Sequence, residues 1–334
     1  MIHLFYGVDH RYVDITNRAF ELCSDGDRLY VPAGDTIRAE IFTDPAYGVI
    51  KNIIVLREGN GNITCTLYGP DEIVEFGLNQ QEKQTYQLEN GTNPTRLPAN
   101  LSSAEDKINF LHAHLKFTGG SMNEELPEQN MIIRFLNPRA KVLEIGANIG
   151  RGTLTIASAL EDPKNLVTCE CDPMSVELLR NNRFANQFDF HIEPSAISYR
   201  RLIQKGWITV PSDELLPDHH WVNTITFEEL ARKYAIEFDT LVADCEGALY
   251  YILNDNKSLL QNIGTIILEA DYYAIDHKKS VESVFAEFGL RKIYSQSLDV
   301  AHPYRFLFPE ECADSFYEVW TKDSMSRSAT ETGL

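Results

Sequence analysis

Positive charge is scarce in this chain: Lys and Arg number 30 against 49 Asp and Glu, a formal net charge of −19. Such a surface repels the phosphate backbone of DNA or RNA unless a local basic face compensates. The basic stretches, Arg200-Arg201 with Lys205 and Lys278-Lys279 beside His277, are short enough to read as solvated surface, so no nucleic-acid partner is expected. Paired cysteines are lacking as well. Cys23, Cys65, Cys169, Cys171, Cys245 and Cys312 are scattered without C-x-x-C spacing, which argues against a zinc site and for free thiols in a cytoplasmic protein. No apolar run approaches the ~18 residues of a membrane-spanning helix, and Met1 to Gly7 carries no basic leader, so a soluble intracellular protein with no membrane insertion is expected. In that setting the acceptor-like triplets at Asn62, Asn90 and Asn100 read as chance matches.

Apolar residues are not lacking. At 43% of 334 residues they suffice for two cores. Residues 1–95 read as a β-rich accessory module and linker. Short strands are predicted at His3–Tyr6, Arg28–Val31, Ile37–Ile41, Ile53–Leu56 and Ile63–Leu67, with Gly59-Asn60-Gly61-Asn62 as a hairpin turn. The Gln-, Asn- and Thr-rich stretch from Asn79 to Asn100 has too few apolar residues for a core of its own. Residues 96–322 form the second predicted domain, and 323–334 a polar disordered tail. A capping box at Ser102-Ser103-Ala104-Glu105 starts a helix, and a second is predicted from Glu124 to Leu136. From Lys141 strands and helices alternate: Val142-Leu143, a helix from Gly150 to Leu160, Leu166–Cys169, a helix from Pro173 to Asn186, and Phe188–His191. Later strands follow at Thr240–Ala243 and Thr265–Leu268, with a closing pair at Arg291–Tyr294 and Phe316–Trp320. This βαβαβ pattern calls for an α/β fold with a mostly parallel sheet and helices on both faces.

The first strand of that pattern feeds Glu144-Ile145-Gly146-Ala147-Asn148-Ile149-Gly150 and then a helix. Its backbone N–H groups are thereby brought to the sheet edge where wound α/β folds bind ligands. The spacing is Glu-x-Gly-x-x-x-Gly, not the G-x-G-x-x-G of a pyrophosphate site. S-adenosylmethionine has no phosphate; its ammonium favours a carboxylate such as Glu144, and Gly146 lets the backbone pass close to a ligand. Glu170, at the end of the next strand, is placed to accept hydrogen bonds from two ribose hydroxyls.

Val142 to Gly150 resembles the first motif of FkbM-type methyltransferases. Val167 to Pro173 with Leu178-Leu179-Arg180-Asn181-Asn182 resembles the second, and Ser195-Ala196-Ile197-Ser198 the third. Asn223 to Leu230 is similar to the family's lead into the fourth strand, and Leu241 to Ala248 to its strand end. The likeness runs from about Gly119 to Asp271. It implies a Rossmann-like class I methyltransferase fold with a seven-stranded sheet and S-adenosylmethionine-dependent O-methylation, commonly of a sugar or glycan hydroxyl. Gly146, Ala147, Asn148, Gly150, Ser195, Ala196 and Asp244 join Glu144 and Glu170 as cofactor-binding candidates. Ala243, Leu249 and Asp271 depart from the family pattern on the acceptor side.

Transfer of a methyl group to an alcohol requires a base that removes the proton as the oxygen attacks. Asp244, ending the fourth strand, is the first candidate, with Glu246 in the same turn and Asp271 after the fifth strand as further catalytic candidates. Glu269 shares a face with Asp271 by its two-residue spacing. No metal site is assigned; Asp244, Glu246 and Asp271 would be the donors if Mg²⁺ took part. The competing readings are methylation of a non-sugar small molecule and a glycan-binding protein with an inactive methyltransferase domain.

Overall fold

The computed structural model describes residues 2–322 except 10, 25–27, 43, 60–61, 79–93 and 207. The tip of the predicted hairpin turn, most of the polar linker and the predicted tail therefore lie outside the described residues. The chain clusters into two compact units. One comprises Met1–Thr95, Lys116–Gly120 and Asp172–Phe188; the other comprises Arg96–Leu115, Ser121–Cys171 and the chain from Asp189 onward.

The larger unit is built on seven strands: β1 (Val142–Ile145), β2 (Leu166–Cys169), β3 (His191–Glu193), β4 (Thr240–Ala243), β5 (Thr265–Glu269), β6 (Leu290–Gln296) and β7 (Tyr317–Lys322). Their spatial order is β3-β2-β1-β4-β5-β7-β6. Neighbours from β3 to β5 run parallel, and β7 is antiparallel to both β5 and β6. This is a doubly wound, Rossmann-like sheet, mostly parallel and seven-stranded. Its strand order reverses between β1 and β4, the switch point at which such sheets open a crevice. Every residue of β1, β2 and β4 is buried, as expected of central parallel strands covered on both faces.

Local chemistry sets the helix starts. Ser103 caps the helix Ala104–His114 by accepting the Asp106 N–H at 3.0 Å, one residue later than the predicted box. The helix Leu126–Phe135 has Pro127 in its first turn, where a missing N–H costs nothing. Between β3 and β4 the sequence reading found no sheet, yet Leu202–Lys205 is the centre of a three-stranded antiparallel sheet, flanked by Ile208–Pro211 and His220–Val222.

The smaller unit pairs Arg11–Asp14, Ile2–Val8, Asn52–Gly59 and Asn62–Tyr68, in that spatial order, as an antiparallel sheet, with a second pair between Arg28–Val31 and Val74–Gly77. The predicted strand at Ile37–Ile41 is instead part of the helix Asp35–Phe42. The alternation of Ile37, Ala39 and Ile41 mimics a strand, but the fully buried side chains are Arg38 and Phe42, four apart, which is helical spacing. Arg38 is satisfied by the carbonyls of Pro32, Gly69 and Glu72. The helix Pro173–Ala185 belongs to this unit: Asn181 donates to the Asp14 carbonyl and Arg183 pairs with Glu21.

Candidate active site

At the end of β1 the chain turns through three left-handed residues, Gly146 (φ 88°), Asn148 (φ 48°) and Gly150 (φ 101°), before the helix Arg151–Ala159 begins. Gly146 is obligatory. A Cβ there would fall 1.6 Å from the carbonyl oxygen of Asp244, so the tips of β1 and β4 touch backbone to backbone. The N–H groups of Gly146 and Ala147 both donate to the Cys169 carbonyl, at 3.0 and 3.1 Å, which ties the turn to β2 as well.

Glu170, immediately after β2, is held at both carboxylate oxygens. Oε2 accepts the Asn148 N–H and Oε1 the Cys171 N–H, each at 2.7 Å. The residue so anchored lines the large cavity. At the tip of β3, Ser195 donates to Glu193 at 2.9 Å and Ala196 N–H to the Asn223 carbonyl at 2.9 Å; both residues line the same cavity.

Glu144 points elsewhere. It is 4% exposed, accepts the Thr153 hydroxyl at 2.7 Å, and lies against Gly152, where an added Cβ would come within 3.0 Å of its carboxylate. With Ala147 it faces a separate cavity of about 30 Å³ rather than the large one. Burial raises its pKa to about 7, against the hydrogen bond from Thr153. Gly150 lines neither cavity; it closes the turn by donating to the Ala147 carbonyl.

The tips of β4 and β5 carry acid. Asp244 donates its N–H to the Ile145 carbonyl at 3.1 Å, and its carboxyl lines the large cavity. Glu246 (φ 52°) and Gly247 (φ 74°) turn the chain into the helix Ala248–Asp255, and the Glu246 carboxylate accepts the Tyr273 hydroxyl at 3.1 Å. Asp271 is 3% exposed; Oδ1 accepts the Gly247 N–H at 2.9 Å, while Oδ2 has no partner among the described residues. Burial, then the charge of Glu246, raises the Asp271 pKa to about 7. Burial likewise pushes Asp244 and Glu269 well above the usual carboxylate range. The charges of Asp271, Glu125 and Glu128 add to this for Asp244; the charge of Asp244 and a hydrogen bond with Glu128 add to it for Glu269.

Glu125 and Glu128, at the start of the helix Leu126–Phe135, reach the same cavity and were not anticipated from the sequence. Glu125 takes up a left-handed φ of 59° and pairs with Arg151 at 3.0 Å; burial still raises its pKa to about 7. The only sequence signal was an acidic run ahead of an apolar helix. The cavity, about 1250 Å³, exceeds the ~300–1,000 Å³ usual for one small ligand and has room for two. Its outer wall includes the half-exposed rings of Tyr251, Tyr273 and Tyr304. His277 stacks on Tyr250 at 3.7 Å and is not part of the lining. Among the described residues no three His, Cys, Asp or Glu side chains converge as a metal site, Asp244, Glu246 and Asp271 included.

No family model matches the sequence, and neither does any curated protein. Solved structures do match. The chain is similar to a ribosomal protein L11 methylase from Lactobacillus delbrueckii subsp. bulgaricus at 11% identity, over 62% of this chain and 81% of that one, with a TM-score of 0.39. It is also similar to an O-methyltransferase from Bacillus cereus in complex with SAH, at 15% identity, over 67% and 93% of the two chains, with a TM-score of 0.36. Both likenesses concern the fold alone.

Proposed function

We propose that the chain is an S-adenosylmethionine-dependent O-methyltransferase acting on a hydroxyl of a sugar or glycan, with Asp244 as general base. The observation that carries this reading is the pairing, at the switch point of the sheet, of a glycine turn open to close backbone approach with the doubly anchored carboxylate of Glu170. These residues fit the donor. Glu170 would accept the two ribose hydroxyls, and Gly146, Asn148, Ser195 and Ala196 would frame the rest. Glu144 supports the turn from behind. When bound, the donor supplies an electrophilic methyl group with no phosphate to be neutralised, in keeping with a turn that lacks the pyrophosphate spacing.

On the acceptor side, Asp244 would take the proton from the attacking hydroxyl. It ends β4 at the switch point and lines the large cavity, where an acceptor hydroxyl would lie. The FkbM-like motifs and the tyrosine-rich wall support a sugar acceptor, because ring faces of this kind offer flat apolar contact with a polar tip.

The test is calorimetry of S-adenosylhomocysteine with the full chain, followed by transfer of labelled methyl to released sugars. Asp244→Asn is expected to lower kcat at least ~100-fold while leaving the affinity for S-adenosylhomocysteine within about tenfold, roughly 1.4 kcal/mol. Absence of binding by the wild-type chain sinks the donor assignment; undiminished turnover by the variant removes Asp244 as the base.

A further inference from the structure

Five carboxyl groups lining the large cavity, Glu128, Asp244, Glu246, Glu269 and Asp271, have no cationic partner among the described residues. The basic side chains on the same wall are already engaged: Arg200 with Asp255, and Lys205 with Asp218 at 3.2 Å. The donor proposed above brings an ammonium, a sulfonium and a carboxylate, a net charge of one. It cannot balance five acids, and a second anion in the same cavity would be repelled.

Asp271 gives the surplus a direction. It is held in place by the Gly247 N–H at Oδ1, is 3% exposed, and keeps Oδ2 without a hydrogen-bond partner. A buried carboxylate oxygen in that state is costly until a donor reaches it. Two residues on, Tyr273 lines the cavity with its ring stacked on Phe308 at 5.2 Å, offering an aromatic face on which a cation is stabilised. Burial and mutual repulsion raise the pKa of Asp244, Glu269 and Asp271, a shift that a bound cation opposes.

Resting on the methyltransferase reading above, we propose that the acceptor is an amino sugar, whose ammonium is received by Asp271 beside Tyr273 while a hydroxyl is presented to Asp244. Uronic acids and sugar phosphates are excluded by the same field.

The test uses the full chain saturated with S-adenosylhomocysteine and titrated at pH 7 with glucosamine, N-acetylglucosamine and glucuronic acid. Glucosamine is expected to bind at least about tenfold more tightly than N-acetylglucosamine, and glucuronic acid not measurably. Asp271→Asn keeps an acceptor for the Gly247 N–H but removes the charge, and should bring that preference below about threefold; binding of S-adenosylhomocysteine to the variant verifies its fold. Equal affinity for the first two sugars, tighter binding of glucuronic acid, no binding of any of the three, or a preference unchanged in Asp271→Asn each overturns the proposal. Failure of the wild-type chain to bind S-adenosylhomocysteine overturns the methyltransferase reading instead, and is seen before any sugar is added.

Discussion

The tips of β1 and β2 and the tips of β4 and β5 differ in how their carboxylates are held. Glu144 accepts the Thr153 hydroxyl, and Glu170 is anchored at both oxygens by the backbone of Asn148 and Cys171. Asp271 keeps an oxygen without a partner, and Asp244 and Glu269 are pushed up by burial and by one another. The first pair of tips is held by hydrogen bonds within the chain; at the second, Asp271 Oδ2 has no such bond among the described residues. A group already satisfied fixes geometry, whereas a buried, unpaired acid is free to trade its proton or accept a cation.

Gly146 joins the two halves, so its replacement has the largest expected effect. Gly146→Ala places a methyl group against the Asp244 carbonyl at a left-handed φ and should destabilise the chain by ~3 kcal/mol or more and abolish binding of S-adenosylhomocysteine. Thermal melts and calorimetry check this, and normal binding would mean that the two tips do not meet as described. Glu170→Gln tests the first half. Loss of a charged acceptor should weaken donor affinity by about 10- to 100-fold, on the scale of ~1.5–3 kcal/mol, with kcat at saturating donor within about twofold; a fall in kcat with unchanged affinity would move Glu170 out of the binding role.

The smallest effect concerns Glu144 and is read as pH dependence. Its pKa rises from 4.5 to about 7 on folding, so between those values the folded chain holds a proton that the unfolded chain has released. The stabilisation is full below pH 4.5 and is lost as the pH rises through 7. Asp271 and Glu125, each raised to about 7, act in the same direction. Glu144→Gln should flatten that decline and raise stability at pH 8 by about 1–3 kcal/mol relative to wild type, measured by urea unfolding from pH 5 to pH 8. An unchanged slope would show that Glu144 is not held protonated.

Much of the larger unit was legible because its signals are local. Each parallel strand is a short apolar run, and the residues after it, Gly146, Glu170, Ser195, Asp244 and Asp271, fall at one edge of the sheet by chain direction alone. What was not legible depends on partners far away in sequence. Glu125 and Glu128 precede β1 by more than a dozen residues and meet Asp244 and Glu269 only through the packing of their helix. The side taken by Glu144 could not be read from a strand whose every residue is buried. Leu202–Lys205 gains its strand character from two antiparallel neighbours, each short and half polar. Arg38 was invisible as a core residue because only the three carbonyls around it make its burial tolerable.

The helix Pro173–Ala185 follows directly on Glu170 and Cys171 in the chain, yet it is packed with Arg11–Asp14 and Thr16–Cys23. A shortened gene that begins after residue 95 would therefore strip that helix of its companions three residues downstream of Glu170. The first 95 residues are not a detachable cassette: transplanting, swapping or trimming them rewrites the surroundings of a segment encoded in the middle of the other unit, and an intact protein is the smallest object on which activity can be measured fairly.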